Sequence, residues 1–316
     1  MTDMKKFDAG LVFSGKKSGK TIMGFKAPDA YTPKADPDYL WGDIARDLVV
    51  WLMQESFTPL YIHGPSGTGK TSCIRQVAAR INMPVYQVTA SARMEVADLV
   101  GHYTLINGST VWQDGPLTMA MRKGGICLID EADTADPSSL IALNGVLDGS
   151  GLVIAEHGGE YIEPHPLFRL ACTGNTAGNG DASGYYAGTG QLNMAFMDRF
   201  IILEATYPQP EAETALLKRK CRLPEEVINA MVRTANIIRR LFTEHEPGQP
   251  CELTVTTRSL IRWADLCLRY EALSHAGISP IGYAADRAFA YRASPPTRTM
   301  IHELIQRTFA EPKERP

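Results

Sequence analysis

The sequence predicts a parallel α/β sheet with helices on both faces, followed by a small all-helical domain. Three observations carry that prediction. Short apolar runs alternate with amphipathic helical stretches over the first two thirds of the chain. One of those runs leads through a glycine-rich phosphate-binding loop into a helix. After "TYPQP" at 206–210 the pattern turns wholly helical. A chain of 316 residues is long enough for about two domains.

Residues 1–41 are rich in Lys, Gly, Asp and Pro and end in "KAPDAYTPKADPDYLW"; they read as an extended arm. From Gly42 to Gln54, the spacing of Ile44, Leu48, Trp51 and Leu52 predicts a helix with one buried face. "PLYIHG" at 59–64 is a short strand, and "TSCIRQVAARIN" at 71–82 a helix burying Ile74, Val77, Ala78 and Ile81. "PVYQVTA", "GICLID", "LFRLACTGN" and "FIILEA" are the further strands, and "GICLID" is apolar as strands covered on both faces are. Asn107-Gly108 between "YTLI" and "STVW" predicts a hairpin near 102–113, with Tyr103 and Trp112 near its exposed tip. The core thus spans 42–208 and the helical domain 209–316. There Val227, Met231, Ala235, Ile238 and Phe242 form one stripe with Arg233, Arg239 and Arg240 off it, and Leu260, Trp263, Cys267 and Tyr270 form another.

Composition narrows the function. Apolar residues make up 44% and charged ones 21%, as in an ordinary globular protein. No apolar run approaches the ~20 residues that span a bilayer, and the first residues have no secretory apolar region. Six cysteines without a C-x-x-C pair suit reduced thiols, so a cytoplasmic protein without membrane contact is expected. His157 and His165 stand at no metal-ligand spacing and read as a solvated loop pair. A net charge of −3 argues against a broadly basic nucleic-acid surface.

Gly-Lys-Thr occurs twice, in "SGKKSGKT" at 14–21 and in "GPSGTGKT" at 64–71. A phosphate loop needs glycines that turn backbone N–H groups inward, a Lys for the β/γ-phosphates and a Ser/Thr hydroxyl for Mg²⁺. It must also run from a buried strand into a helix N-terminus. The second copy meets every condition, with Gly64, Pro65, Ser66, Gly67, Thr68, Gly69, Lys70, Thr71 and Ser72 as the binding stretch. The first has Ser14 where Gly64 should stand, and no helix can continue past Pro28; it reads as a basic turn between short extended segments. Asp130 and Glu131 follow the strand "ICLID". Asp130 can hold the Mg²⁺ that Thr71 also contacts, and Glu131 can polarise the water that attacks ATP.

The order of phosphate loop, "LIDEAD", "ACTGN", "MDRF" and a helical domain resembles the AAA+ ATPases. The resemblance implies ATP and Mg²⁺ as cofactors, a homo-oligomeric, hexameric ring, a sensor 1 role for Asn175, an arginine finger at Arg199 that enters the neighbouring subunit's site, and a sensor 2 role for Arg258 in the helical lid. The hairpin followed by "DGPL" looks like the MoxR branch, in which such inserts point toward the ring pore. Within that branch, "PDAYTPKADPDYLW", "QVAARINMPV", "EPHPLFRLACTGNTAGNGDASGYYAGTGQLNMAFMDRF" and "TTRSLIRWA" are similar to the small ATPase subunits of aerobic cobaltochelatase, the CobS family. That likeness implies a von Willebrand-A-domain partner and cobalt insertion into a corrin precursor. The glycine-rich piece before Arg199 reads as a family marker without chemistry of its own. Residues 1–27 and roughly 272–300 depart from the family, which leaves open a MoxR-type remodeller acting with another von Willebrand-A protein. The departure around Lys16, Lys17 and Lys20 is where a feature particular to the partner is expected. A DNA-acting AAA+ ATPase is the third reading, disfavoured by the acidic balance and the missing helix-turn-helix pattern.

Overall fold

The protein was analysed as a computed structural model that describes residues 3–181, 184, 186, 188–244 and 251–310. It forms two compact units, Met1–Thr206 and Tyr207–Pro316.

The first unit opens with structure where the sequence predicts an extended arm. Strand β1 (Met4–Asp8), helix α1 (Ala9–Ser14) and strand β2 (Thr21–Phe25) fold together, the strands antiparallel with Met4 opposite Phe25. Ile22 is fully buried, and a Cβ on Gly24 would lie 2.1 Å from the Ile81 carbonyl oxygen. That closeness explains why a two-stranded piece, marginal alone, holds here. Residues 26–44 then run irregularly to helix α2 (Ala45–Met53), which buries Leu48, Trp51 and Leu52.

Strand β3 (Leu60–His63), helix α3 (Lys70–Ala79) and strand β4 (Val85–Thr89) follow. After helix α4 (Val96–Val100) come strands β5 (Gly101–Ile106) and β6 (Ser109–Asp114), helix α5 (Pro116–Lys123) and strand β7 (Gly125–Asp130). Helices α6 (Pro137–Ile141) and α7 (Asn144–Leu147) precede strands β8 (Leu152–Ile154), β9 (Glu160–Ile162) and β10 (Phe168–Thr173). Helix α8 (Met194–Met197) and strand β11 (Ile201–Glu204) end the unit. The central sheet has the order β11-β3-β10-β7-β4, parallel throughout. Its side chains alternate between two cores. Tyr61, Cys127, Ile129, Leu170 and Cys172 face one, and Leu60, Ile62, Ile126, Leu128 and Ala171 the other. Burial on both faces is why β7 reads as an apolar run up to its last residue.

The expected hairpin is β5–β6, with Asn107 and Gly108 both at positive φ (50° and 82°), the signature of a tight two-residue turn. Its tip differs from the expectation. Tyr103 and Trp112 pair edge-to-face along the strands, while Leu105 and Ile106 stand exposed at the turn. A second hairpin, β8–β9, turns at Gly158-Gly159. His157 sits in this turn and is partly exposed, but its ring is also held by neighbours. Its ring stacks on Trp112 at 4.9 Å, and its Nδ1 lies 2.9 Å from a Glu160 that also takes a bidentate contact from Arg122 (2.7 and 2.6 Å). His165 is half-buried beside Gly124, its Nδ1 accepting from the Leu167 amide at 3.0 Å, and burial lowers its pKa. Among the described residues no group of His, Cys, Asp and Glu could hold a metal ion.

The second unit is helical: α9 (Pro210–Lys220), α10 (Glu225–Glu244), α11 (Thr257–Arg269), α12 (Pro280–Ala288) and α13 (Pro295–Ala310). Met231, Ala235, Ile238, Leu260 and Trp263 centre its core. Arg239, expected off the apolar stripe, is buried instead, with its guanidinium on the wholly buried Glu213 of α9 at 2.6 and 2.9 Å. The same arginine donates to the Val255 carbonyl and lies over the Tyr207 ring, while Thr257 donates to Glu213. Removing one partner of such a buried pair costs about 3–5 kcal/mol, because the other charge is left unpaired. The pair therefore fixes the start of α11, where Thr256 caps the helix by accepting from the Ser259 amide.

Candidate nucleotide site

The phosphate loop joins β3 to α3 at the carboxyl end of the sheet. Strand order reverses at β3, where ligands of open α/β sheets bind. Gly64 has φ 140°, and a Cβ there would meet the Ala205 carbonyl oxygen at 2.2 Å. Gly69, at φ 93°, caps α3, so only glycine turns the loop into the helix without strain. The Lys70 ammonium bends back over this loop, donating to the Gly64 and Pro65 carbonyls (2.6 and 3.1 Å) and to Asn175 Oδ1 (3.1 Å). Burial lowers its pKa to about 8, against the opposing pull of Asp133, Asp130 and Glu131.

Asp130 stands at the end of β7 beside Thr71. Its Oδ1 accepts from Thr71 Oγ1 at 2.6 Å and from Thr173 Oγ1 on β10, and its Oδ2 from Gln87 Nε2 on β4 at 3.1 Å. Arg75 in turn donates to Gln87 at 2.9 Å. Thr71 and Asp130 supply hard oxygen donors side by side, the donor set of a Mg²⁺ that keeps several waters and is completed by phosphate. Glu131 is exposed and has φ 57°, a left-handed conformation unusual for a non-glycine residue. Its amide donates to Thr173 Oγ1, and the bend starts the short 3₁₀ turn Ala132–Thr134.

Asp133, in that turn, is fully buried, and its Oδ2 accepts from the Asn175 amide, the Thr176 amide and the Thr176 hydroxyl at 2.8, 2.9 and 3.1 Å. It therefore sets where Asn175 projects after β10. Asp133, Gln87 and Thr173 have no role that the sequence alone announces. Their contacts form across parallel strands and after a strand end, and no local motif announces them. Tyr39, whose hydroxyl pairs with Ser72 Oγ at 3.0 Å, and Tyr186, whose hydroxyl accepts from the Ser66 amide at 3.3 Å, were missed for the same reason. The glycine-rich piece thus touches the phosphate loop, although residues 182, 183, 185 and 187 of it lie outside the described residues.

The structure therefore brings Lys70, Thr71, Asp130 and Asn175 together through direct contacts. Arg199 is elsewhere: after α8 it donates to both carboxylate oxygens of Asp148 (2.7 and 3.2 Å) and to the Ala195 carbonyl. Arg258 is exposed on the first turn of α11 in the second unit.

The first Gly-Lys-Thr stretch has different geometry. The Asp8 carboxylate accepts from the Leu11, Ser18 and Gly19 amides at 3.0, 3.0 and 2.8 Å, and these bonds hold its pKa far below the usual carboxylate range. The anion that this turn binds is the chain's own. Lys20 and Thr21 lead into strand β2 rather than a helix.

Comparison with known proteins agrees with this geometry. Residues 59–200 match the AAA domain of the dynein-related subfamily, and residues 213–308 match the C-terminal domain of CbbQ, NirQ and NorQ proteins. The chain is 30% identical to the aerobic cobaltochelatase subunit CobS of a Sinorhizobium species, over 91% of this chain and 86% of that protein. It is 34% identical to protein NorQ of Paracoccus denitrificans, over 69% of this chain and 76% of the other. A solved structure of a Thermotoga maritima RuvB mutant shares the fold at a TM-score of 0.52 and 13% identity, covering 86% of this chain and 73% of that one. The motifs, the sheet order and these likenesses place the chain in one family: it belongs to the MoxR-type AAA+ ATPases.

Proposed function

We propose that the chain is the motor subunit of a hexameric ring that hydrolyses ATP to remodel a von Willebrand-A-domain partner. The observation that carries this reading is the convergence of Lys70, Thr71, Asp130 and Asn175 at the ends of β3, β7 and β10. Lys70 and the loop amides hold the phosphates. Thr71 and Asp130 would hold Mg²⁺, which when bound neutralises charge on the transferring phosphoryl group. Thr173 and Gln87 orient the Asp130 carboxylate toward it. Glu131 polarises the attacking water, and Asn175, fixed by Asp133 and bonded to Lys70, orients that water against the terminal phosphate. Arg199 acts on the neighbouring subunit's nucleotide, and Arg258 carries the sensor 2 role.

Lys70 gives binding a pH dependence. Phosphate takes the protonated amine, whose pKa before binding is about 8 and rises on contact with the phosphate charge. Below that value binding needs no proton uptake; above it one proton must be taken up. The dissociation constant for ATP is therefore expected to be flat from pH 6.5 to 7.5 and to weaken by up to about tenfold per pH unit above 8. Titration calorimetry in two buffers of different ionisation enthalpy measures both the constants and the proton taken up.

The CobS match extends over 91% of the chain, farther than the match to NorQ, and favours cobalt insertion into a corrin precursor as the driven reaction. The match of residues 213–308 to the CbbQ/NirQ/NorQ domain favours a second reading, a remodeller serving another von Willebrand-A protein. Glu131→Gln should bind ATP without turning it over and so hold its partner. Affinity capture with this variant is expected to retain a von Willebrand-A protein with ATP and to release it with ADP. A corrin-binding subunit in the same eluate selects the first reading, and its absence the second. Retention of duplex DNA in place of protein would sink both.

A further inference from the structure

We propose that Tyr186 is a nucleotide-site residue whose hydroxyl donates to the terminal phosphoryl group of ATP, and that Thr189 and Gly190, which anchor it, respond to that phosphate. The inference rests on the ATPase reading and deepens it. The Pro65–Ser66 peptide is held at both of its polar atoms. Its oxygen accepts from Lys70 Nζ at 3.1 Å, and its N–H donates to the Tyr186 hydroxyl at 3.3 Å. Lys70 marks the end of the loop where the β/γ-phosphates bind. Tyr186 therefore lies one peptide group from that end.

A phenol has one proton to give and lone pairs with which to accept. The Ser66 contact uses a lone pair, and none of the described residues accepts the proton. Burial raises the Tyr186 pKa, with Asp181 and Asp133 adding to the shift, so the group stays a neutral donor at ordinary pH. A phosphoryl oxygen beside Lys70 is the acceptor that such a donor lacks.

The tyrosine is also anchored to the machinery it would report to. Its amide donates to Asp181 at 2.6 Å, and its carbonyl accepts from the Thr189 amide and hydroxyl at 3.1 and 2.9 Å. The next residue, Gly190, donates its amide to the Asp133 carbonyl at 2.7 Å. Asp133 is the residue whose carboxylate holds Asn175. Tyr186 is thus tied to Asp133 through Thr189 and Gly190, and Asn175 is tied to the same residue directly.

The test is nucleotide discrimination by full-length Tyr186→Phe. It should bind fluorescent ADP with wild-type affinity and a non-hydrolysable ATP analogue about tenfold more weakly, the loss of one hydrogen bond to a charged group. Equal weakening of both, or of neither, overturns the proposal. Failure of the underlying reading looks different, because wild-type chain then binds neither nucleotide. A second measurement does not depend on the variant folding: hydrogen exchange of the Tyr186, Thr189 and Gly190 amides in wild-type chain. It should slow with the ATP analogue and not with ADP; the same exchange with both overturns the proposal.

Discussion

Lys70→Ala is expected to abolish measurable ATP binding while Lys20→Ala leaves it unchanged, although both lysines stand in Gly-Lys-Thr. The half-buried Lys70 ammonium is held among three oxygen acceptors, the Gly64, Pro65 and Asn175 oxygens, and its desolvation already lowers its pKa. A phosphate that enters the loop finds this charge preplaced and only weakly solvated. Truncating one partner of a buried, hydrogen-bonded charge pair costs about 2–5 kcal/mol. That is a loss of about 30- to 4,000-fold in affinity, enough to remove binding at ordinary nucleotide concentrations. Lys20 has no such setting. The amides of Ser18 and Gly19 are spent on Asp8, and the following residues are strand. Titration of each variant with ATP decides the matter. A strong loss in Lys20→Ala would restore the first loop as a binding site, and retained binding in Lys70→Ala would remove the second.

The contrast between the two loops shows what a sequence carries and what it does not. The second loop was legible because all its requirements fall at fixed offsets within eight residues, between an apolar strand and an amphipathic helix. The parallel sheet was legible because β7 and β10 are covered on both faces and so largely apolar, with only Asp130 at the end of β7 and Arg169 and Thr173 in β10 polar. The turn of β5–β6 was legible because Asn-Gly is among the few pairs that take two positive φ values. What failed depends on partners distant in sequence. Arg239 looked like a surface charge because its counter-ion Glu213 lies on another helix, 26 residues away. That Asp8 fills the first loop required β1 to pair with β2, in a segment read as an arm. Gln87 and Thr173 reach Asp130 only through the register that sets Thr89 beside Asp130 and Cys172 beside Ile129. Tyr186 was hidden within a stretch whose glycines suggested a marker and not a contact.

Arg199→Ala should bind ATP within about twofold of wild type and hydrolyse it about 10³-fold more slowly, the loss typical of a missing arginine finger. Within its own chain Arg199 contacts Asp148 and the Ala195 carbonyl, neither of them part of the phosphate loop, so its removal leaves the Lys70 and Thr71 contacts intact. Both partners of the Asp148 pair are partly exposed, and exposed pairs of this sort are weakly held. The guanidinium can therefore leave Asp148 for a neighbour's phosphate without unfolding anything around it. Two further chains separate that role from a structural one. Asp148→Ala removes the partner but keeps the arginine, and it should retain turnover; loss equal to that of Arg199→Ala would mean that the pair itself is what matters. Mixing Arg199→Ala with Glu131→Gln should restore activity, because a site built on the first chain keeps Glu131 and receives Arg199 from the second. Both homogeneous rings lack one of the two groups at every site, so any recovered rate comes only from mixed interfaces. Mixed rings as inactive as their parents would place Arg199 in the service of its own subunit, and the reading of a shared site would fall with it.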